Sequence, residues 1–149
     1  MIDALYSSRI LNLAAHMPRA GRLAAPDASV TKTAKLCGSR VTVDVVVRDG
    51  RVVDFAQDVQ ACALGQAAAA VLGEHAVGAT AEEIVAARDA FRAMLKAGGP
   101  APEGRFSELS VLEPVKDYAP RHASTLLAFE AAAEAVLTAR ERTRRAGAA

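Results

Sequence analysis

The chain has no tryptophan, only two cysteines and three histidines, and few aromatic rings, with two tyrosines and four phenylalanines among 149 residues. Apolar residues still make up 52%, and alanine supplies much of that share. A core poor in large rings and rich in alanine favours closely packed helices over a β-sandwich. Charge of one sign is lacking as well. A net charge of +1 argues against a nucleic-acid groove, and Arg140, Arg142, Arg144 and Arg145 read as the solvated end of a helix. The longest stretch free of charge, Val59 to Gly73, is too short and too interrupted by glycine to cross a bilayer. Met1-Ile2-Asp3 does not begin a secretory signal. The expectation is therefore a cytoplasmic protein without membrane contact, in a reducing compartment where a stable disulfide is the less favoured use of two cysteines. No Ser-His-Asp spacing, phosphate-cradling glycine loop or paired-carboxylate motif is present to assign to catalysis. At this length the chain reads as one domain, residues 1–149.

What is present alternates between two periodicities. Ile2 to Met17 places Leu5, Ile10, Leu13 and Ala14 near helical spacing, and Pro18 ends the run. Val30, Lys32, Ala34 and Leu36 alternate with Thr31, Thr33 and Lys35 as a short strand. Two β-branched runs, 41–47 and 51–59, flank Arg48-Asp49-Gly50 and predict an antiparallel hairpin. A two-residue loop would bring carboxylates into the valine stripe. A three-residue loop pairs Val45 with Val53 and Val43 with Phe55, keeps one face apolar, and leaves Asp44, Asp54 and Asp58 on the polar face. That register sets Cys37 level with Ala61, one residue from Cys62.

Helices follow the hairpin. Cys62 to His75 is alanine-rich and helical; Thr80-Ala81-Glu82-Glu83 is a capping box that opens a helix to about Lys96. Gly98 to Gly104 is a loop, Ser107 to Leu112 reads as a short helix, and Pro114 and Pro120 punctuate what comes next. His122 opens the last helix, whose stripe of Leu126, Leu127, Phe129, Ala133, Val136 and Leu137 can cover a sheet. The expected fold is α+β, a small three-stranded antiparallel sheet packed against several α-helices.

The candidate site is Cys37, Cys62 and His122. Cys62 and His122 each fall in the first turn of a helix, where unpaired N–H groups favour a thiolate and a neutral imidazole, the metal-binding forms of both side chains. Two thiolates and an imidazole suit zinc or iron in tetrahedral geometry, with one position left open. The competing readings are two small buried hydrophobes or a disulfide closed across the hairpin. His16, before Pro18, and His75, at a helix end, carry no site signal.

The order of these features resembles the iron-sulfur cluster assembly scaffold family of the IscU, SufU and NifU N-terminal type. The resemblance runs through Leu5-Tyr6, the segment His16-Met17-Pro18-Arg19-Ala20-Gly21 (similar to Asn-Pro-Arg-Asn-x-Gly), Leu36-Cys37-Gly38-Ser39, the Asp49-Gly50 turn, Ala61-Cys62-Ala63-Leu64-Gly65-Gln66, and Arg121-His122-Ala123-Ser124-Thr125-Leu126-Leu127. The long stretch after Cys62 is similar to the SufU branch. Leu112-Glu113-Pro114-Val115-Lys116 is similar to the Leu-Pro-Pro-Val-Lys motif of IscU but lies too far ahead of His122. The resemblance implies a scaffold or carrier rather than an enzyme. Its cargo would be a transient iron-sulfur cluster or an iron or zinc precursor, with Cys37, Cys62 and His122 as ligands. A cysteine desulfurase and recipient apo-proteins would be its partners, and a homodimer is possible. Two positions depart from the family pattern: Ser39 stands where the family has aspartate, and Ala123 is aligned with the third cysteine, the residue implicated in accepting sulfur. The fourth ligand would then be Ser39, water or a residue from a second subunit. Two other functions fit the same residues, a metal-free interaction or regulatory protein of the cluster-assembly machinery and a redox switch closing Cys37 onto Cys62.

Overall fold

The structure, a computed structural model, describes residues 6–148. Helix α1 spans Ser8–Ala15, with the Ser7 hydroxyl accepting from the Ile10 amide at its N-terminus. The part of the expected first helix from Ile2 to Leu5 lies outside the described residues, as does Leu5 of the Leu5-Tyr6 pair. Three strands follow, β1 (Ala28–Ala34), β2 (Ser39–Arg48) and β3 (Arg51–Gln60), antiparallel and in the order β1-β2-β3. Leu36 is not part of β1. It sits in the Lys35–Gly38 turn between β1 and β2 and is 90% exposed.

The β2–β3 hairpin corrects the expected register. Asp49 (φ 54°) and Gly50 (φ 76°) both adopt the left-handed conformation, so the loop has two residues and Arg48 pairs directly with Arg51. Such a turn matches the right-handed twist of the flanking strands. Val47 pairs with Val52, but a bulge then shifts the register, so that Val46 pairs with Asp54, Val45 with Phe55 and Val43 with Gln57. Val53 is the extra residue. The bulge switches which parity of β3 faces inward, so Val52 and Phe55 are both buried while Asp54 points out. A two-residue turn therefore buries no carboxylate in the valine stripe, which was the ground for preferring three.

Asp44 is a second correction. Its side chain is fully buried beneath the segment before β1, where it accepts from Arg22 Nε (2.7 Å) and Nη2 (3.2 Å), from the Leu23 amide (3.0 Å) and from the Ser29 hydroxyl. A buried carboxylate is tolerable only with such a full set of donors. Burial pushes the Asp44 carboxyl up, but the hydrogen bonds from Arg22, Ser29 and the Leu23 amide outweigh it and hold the group below its ordinary value.

Helix α2 spans Ala63–His75, α3 spans Ala81–Ala97 and α4 spans His122–Ala148, with 3-10 turns over Gly104–Asp117 and Ala119–Arg121. The first of these turns replaces the short helix expected at Ser107 to Leu112, and it kinks at Phe106. Helix α2 is buried along Leu64, Gly65 and Ala67 to Gly73, nearly all round, which is why small alanines fill it: they let neighbouring elements approach closely. Helix α4 lies across β1 and β2 and also touches α2 and α3. Its Leu126, Leu127, Phe129, Ala133 and Val136 are buried as expected, whereas Leu137 is half-exposed. Phe129 meets Phe91 and Phe106 edge to face at 5.6 and 5.5 Å, so the few aromatic rings gather at one point of the core. The capping box at Thr80 and Glu83 forms as read, with bonds of 2.9 and 3.0 Å. Arg142, Arg144 and Arg145 are exposed near the end of α4, and Arg140 pairs with Glu82. Among the described residues no helix is long and apolar enough to cross a membrane.

Candidate functional site

Three chain turns meet at the open end of the sheet. The β1–β2 turn carries Cys37. It is closed by the Gly38 amide donating to the Ala34 carbonyl at 2.9 Å, and Gly38 takes the left-handed conformation (φ 72°) that lets the chain reverse. Cys62 is the N-cap of α2, extended at φ −67° and ψ 170°, and its carbonyl accepts from Gln66. Ser124 stands in the first turn of α4, directly after the 3-10 turn Ala119–Arg121.

The Cys37 sulfur lies 3.0 Å from the Ser39 hydroxyl, and the Cys62 sulfur 3.5 Å from the Ser124 hydroxyl. Hydrogen bonds from the Ser39 hydroxyl and then the Ser39 amide hold the Cys37 thiol below its ordinary value; burial opposes them, and the Ser124 hydroxyl adds a weaker pull of the same sign. Both cysteines are free thiols, Cys37 exposed and Cys62 partly so. The Cys37 thiol is not in line with β3, as the expected register had it, because Cys37 belongs to the turn that ends at Gly38.

His122 is placed differently. Its ring is buried and its Nε2 donates to the carbonyls of Val115 (2.9 Å) and Lys116 (3.1 Å), tying the start of α4 to the 3-10 segment before it. The structure brings Cys62 to Ser124 and Cys37 to Ser39, and it directs this ring nitrogen of His122 at the backbone. Among the described residues no group of three or more His, Cys, Asp or Glu side chains is arranged to hold a metal.

Ala123, aligned by sequence with a third cysteine, is exposed, while its neighbour Ser124 is only 2% exposed and faces the Cys62 thiol. A signal for this was available. Glu130, Glu134 and Glu141 mark the solvent side of α4, and two turns before Glu130 on that same side comes Ala123, so the residue turned inward is its neighbour. Ser39 is likewise buried, with its hydroxyl on Cys37.

A cavity of about 450 Å³ lies elsewhere, between α1, α2 and the 3-10 segment, lined by Arg9, His16, Glu74, His75 and Glu108 among others. The thiols sit instead on open surface. A small-molecule reaction needs an enclosing pocket that excludes water, whereas handing an inorganic cargo to another protein needs donors that the other protein can touch. Two sulfur donors, one exposed and one partly so, are thus held by turns of an α+β frame at one end of a three-stranded sheet.

Residues 5–125 match the NifU-like N terminal domain, and the chain belongs to that family. It is 29% identical over 134 residues to the iron-sulfur cluster assembly scaffold protein IscU of Thermotoga maritima, covering 89% of this chain and 92% of that one. Among solved structures it is similar to a nitrogen-fixing NifU-like protein (N-terminal) from Brucella abortus, at 55% identity and a TM-score of 0.92, covering 94% of this chain and 97% of that one. The fold is shared with a putative iron-sulfur cluster assembly scaffold protein for the SUF system from Fervidobacterium islandicum, at 22% identity and a TM-score of 0.82 over 90% and 98% of the two chains.

Proposed function

We propose that this protein is an iron-sulfur cluster scaffold or carrier. It holds a cluster, or its iron or zinc precursor, transiently on the Cys37 and Cys62 thiolates and passes it to recipient apo-proteins. The observation that carries this reading is the placement of two free thiols, one exposed and one partly so, in turns at the same end of the sheet, Cys37 beside Ser39 and Cys62 beside Ser124. Family membership supports the same cargo. Thiolates suit iron and zinc because both are soft or borderline cations, and an exposed two-thiolate site releases such a cargo more readily than a closed four-ligand one. His122 joins as a third ligand either by giving up its carbonyl bonds, with rearrangement of the 115–122 segment, or by presenting its other ring nitrogen. Water or a residue of a second copy completes the set. A cysteine desulfurase is the expected sulfur source, and the protein holds its cargo without turning over a substrate of its own. Two free thiols, one exposed and one partly so, suit a reducing compartment, and this supports a cytoplasmic location.

Anaerobic reconstitution followed by visible absorption and metal analysis tests the reading. Wild-type protein should take up iron and sulfide stoichiometrically, and a Cys37→Ser, Cys62→Ser double variant should not. Equal uptake by the two proteins would sink the proposal.

A further inference from the structure

The end of the sheet away from the thiols gathers arginine. β2 runs from Ser39, beside Cys37, to Arg48 at the Asp49-Gly50 turn, a strand of 10 residues that spans roughly 30 Å. At that far end the last turns of α4 pass beside the hairpin turn, and two clefts of about 360 and 350 Å³ open there. Arg48, Arg140 and Arg144 line the first and Arg48 and Arg142 the second, while Thr143 lines both, so the two form one continuous groove.

These charges are only partly offset within the fold. Asp27 accepts from Arg48 at 2.7 Å, Glu82 pairs with Arg140, and Asp49 lines the first cleft. Arg142 instead donates to the backbone carbonyl of Asp27 at 2.9 Å, and Arg51 to the carbonyl of Gly78 at 2.9 Å, neutral acceptors that leave both positive charges standing. Among the described residues Arg144 has no ion-pair partner. Arg48 and Arg51 also face each other across the hairpin, and like charges at directly opposed positions destabilise a strand pair. Guanidiniums held together against this repulsion suit an anionic partner.

We propose that this groove docks an acidic segment of a partner protein. Guanidinium forks match carboxylates in bidentate geometry, and Arg48, Arg142 and Arg144 are exposed to receive them. Asp27, Asp49 and Glu82, interleaved with the arginines, repel the unbroken phosphate run of a nucleic acid. A peptide avoids that repulsion by spacing its carboxylates with neutral residues. Exposed pairs of this kind speed encounter more than they deepen affinity, so the docking is salt-sensitive and readily reversed. Because the groove and the thiols lie at opposite ends of β2, a docked partner leaves Cys37 and Cys62 open to another protein. The inference concerns the metal-free chain and does not depend on the cargo.

The test is the fluorescence anisotropy of a labelled peptide of repeated Asp-Gly-Glu-Gly with the reduced full chain at about 0.05 M salt, repeated at about 0.5 M. Wild-type protein should bind at the lower salt and release the peptide at the higher. Arg142→Gln combined with Arg144→Gln should weaken binding by about tenfold, with melting near wild type because both side chains are exposed. Arg9→Gln combined with Lys35→Gln removes the same charge from exposed positions elsewhere and should leave binding unchanged. Bound peptide should not slow alkylation of Cys37. No binding by wild type, or equal losses in the two double variants, would overturn the proposal. Slower Cys37 alkylation would do the same by seating the peptide over the thiols. A single-stranded oligonucleotide bound more tightly than the peptide, or displacement by inorganic phosphate at matched ionic strength, would overturn it in favour of a nucleic-acid or small-anion site.

Discussion

Gly65 in α2 and Ser124 in α4 touch so closely that the carbonyl oxygen of Ser124 occupies the space a side chain on residue 65 would need. The contact joins two helix starts that are 59 residues apart in the chain and carry the two inner members of the site.

Gly65→Ala should therefore destabilise the protein and loosen the site together. Alanine brings a gain of about 1 kcal/mol in helix propensity. Forcing a methyl group against backbone costs about 1–3 kcal/mol, and because the obstructing atom is a carbonyl rather than the end of a side chain, the steric cost wins. Denaturant unfolding should give a net loss of up to about 2 kcal/mol, with zinc affinity reduced in parallel. A variant more stable than wild type would show that the two helices can part without consequence.

Cys37 should be the faster of the two thiols to alkylate in metal-free protein. It is exposed, and the Ser39 hydrogen bonds keep its thiolate populated to lower pH. Removing the hydroxyl with Ser39→Ala raises the thiol toward its ordinary value. The midpoint of the alkylation rate against pH should then move up, and the rate at neutral pH should fall. Mass spectrometry of partially labelled protein reads both effects, and an unmoved midpoint would contradict the assigned cause.

Acid sensitivity should trace in part to Asp44. Its folded value lies below the ordinary aspartate value of 3.8, so its contribution is fully present above that pH and is lost as pH falls through the lower folded value. Asp44→Asn should abolish this segment of the stability-versus-pH curve. At neutral pH it should cost about 1–3 kcal/mol, because donors arranged around a carboxylate lose one acceptor. Parallel curves for variant and wild type from pH 5 to pH 2 would remove Asp44 from the account.

Thr80→Ala should cost about 1 kcal/mol by removing one half of a formed capping box. Glu141→Ala, which deletes an exposed pair with Arg145, should change stability by no more than about 0.5 kcal/mol. The contrast is measurable by equilibrium unfolding, and equal effects would mean that the cap is not closed in solution.

Elements whose cause is local were legible in the chain itself. Pro18 closes the first helical run, the Thr80 to Glu83 box starts α3, alanine repeats make α2 a central close-packed helix, and the stripe from Leu126 to Val136 covers the sheet. The number and direction of the strands and the α+β class also follow from residue order.

Where two local preferences conflict, only the folded chain chooses. The Asp49-Gly50 turn and the apolar face of β3 demanded different registers, and a bulge at Val53 satisfied both. Asp44 reads as an outward residue by alternation, yet Arg22, which is 22 residues away, folds over it and makes it an inner one. The site divides in the same way. That the two thiols lie at one end of the sheet is legible in the sequence, because strand and helix place them there. Which residue accompanies them is not, since it depends on the rotation of α4 about its own axis. One step of an α-helix turns a side chain by about 100°, so the packing of Gly65 against Ser124 is what turns Ser124 to the Cys62 sulfur and Ala123 to solvent.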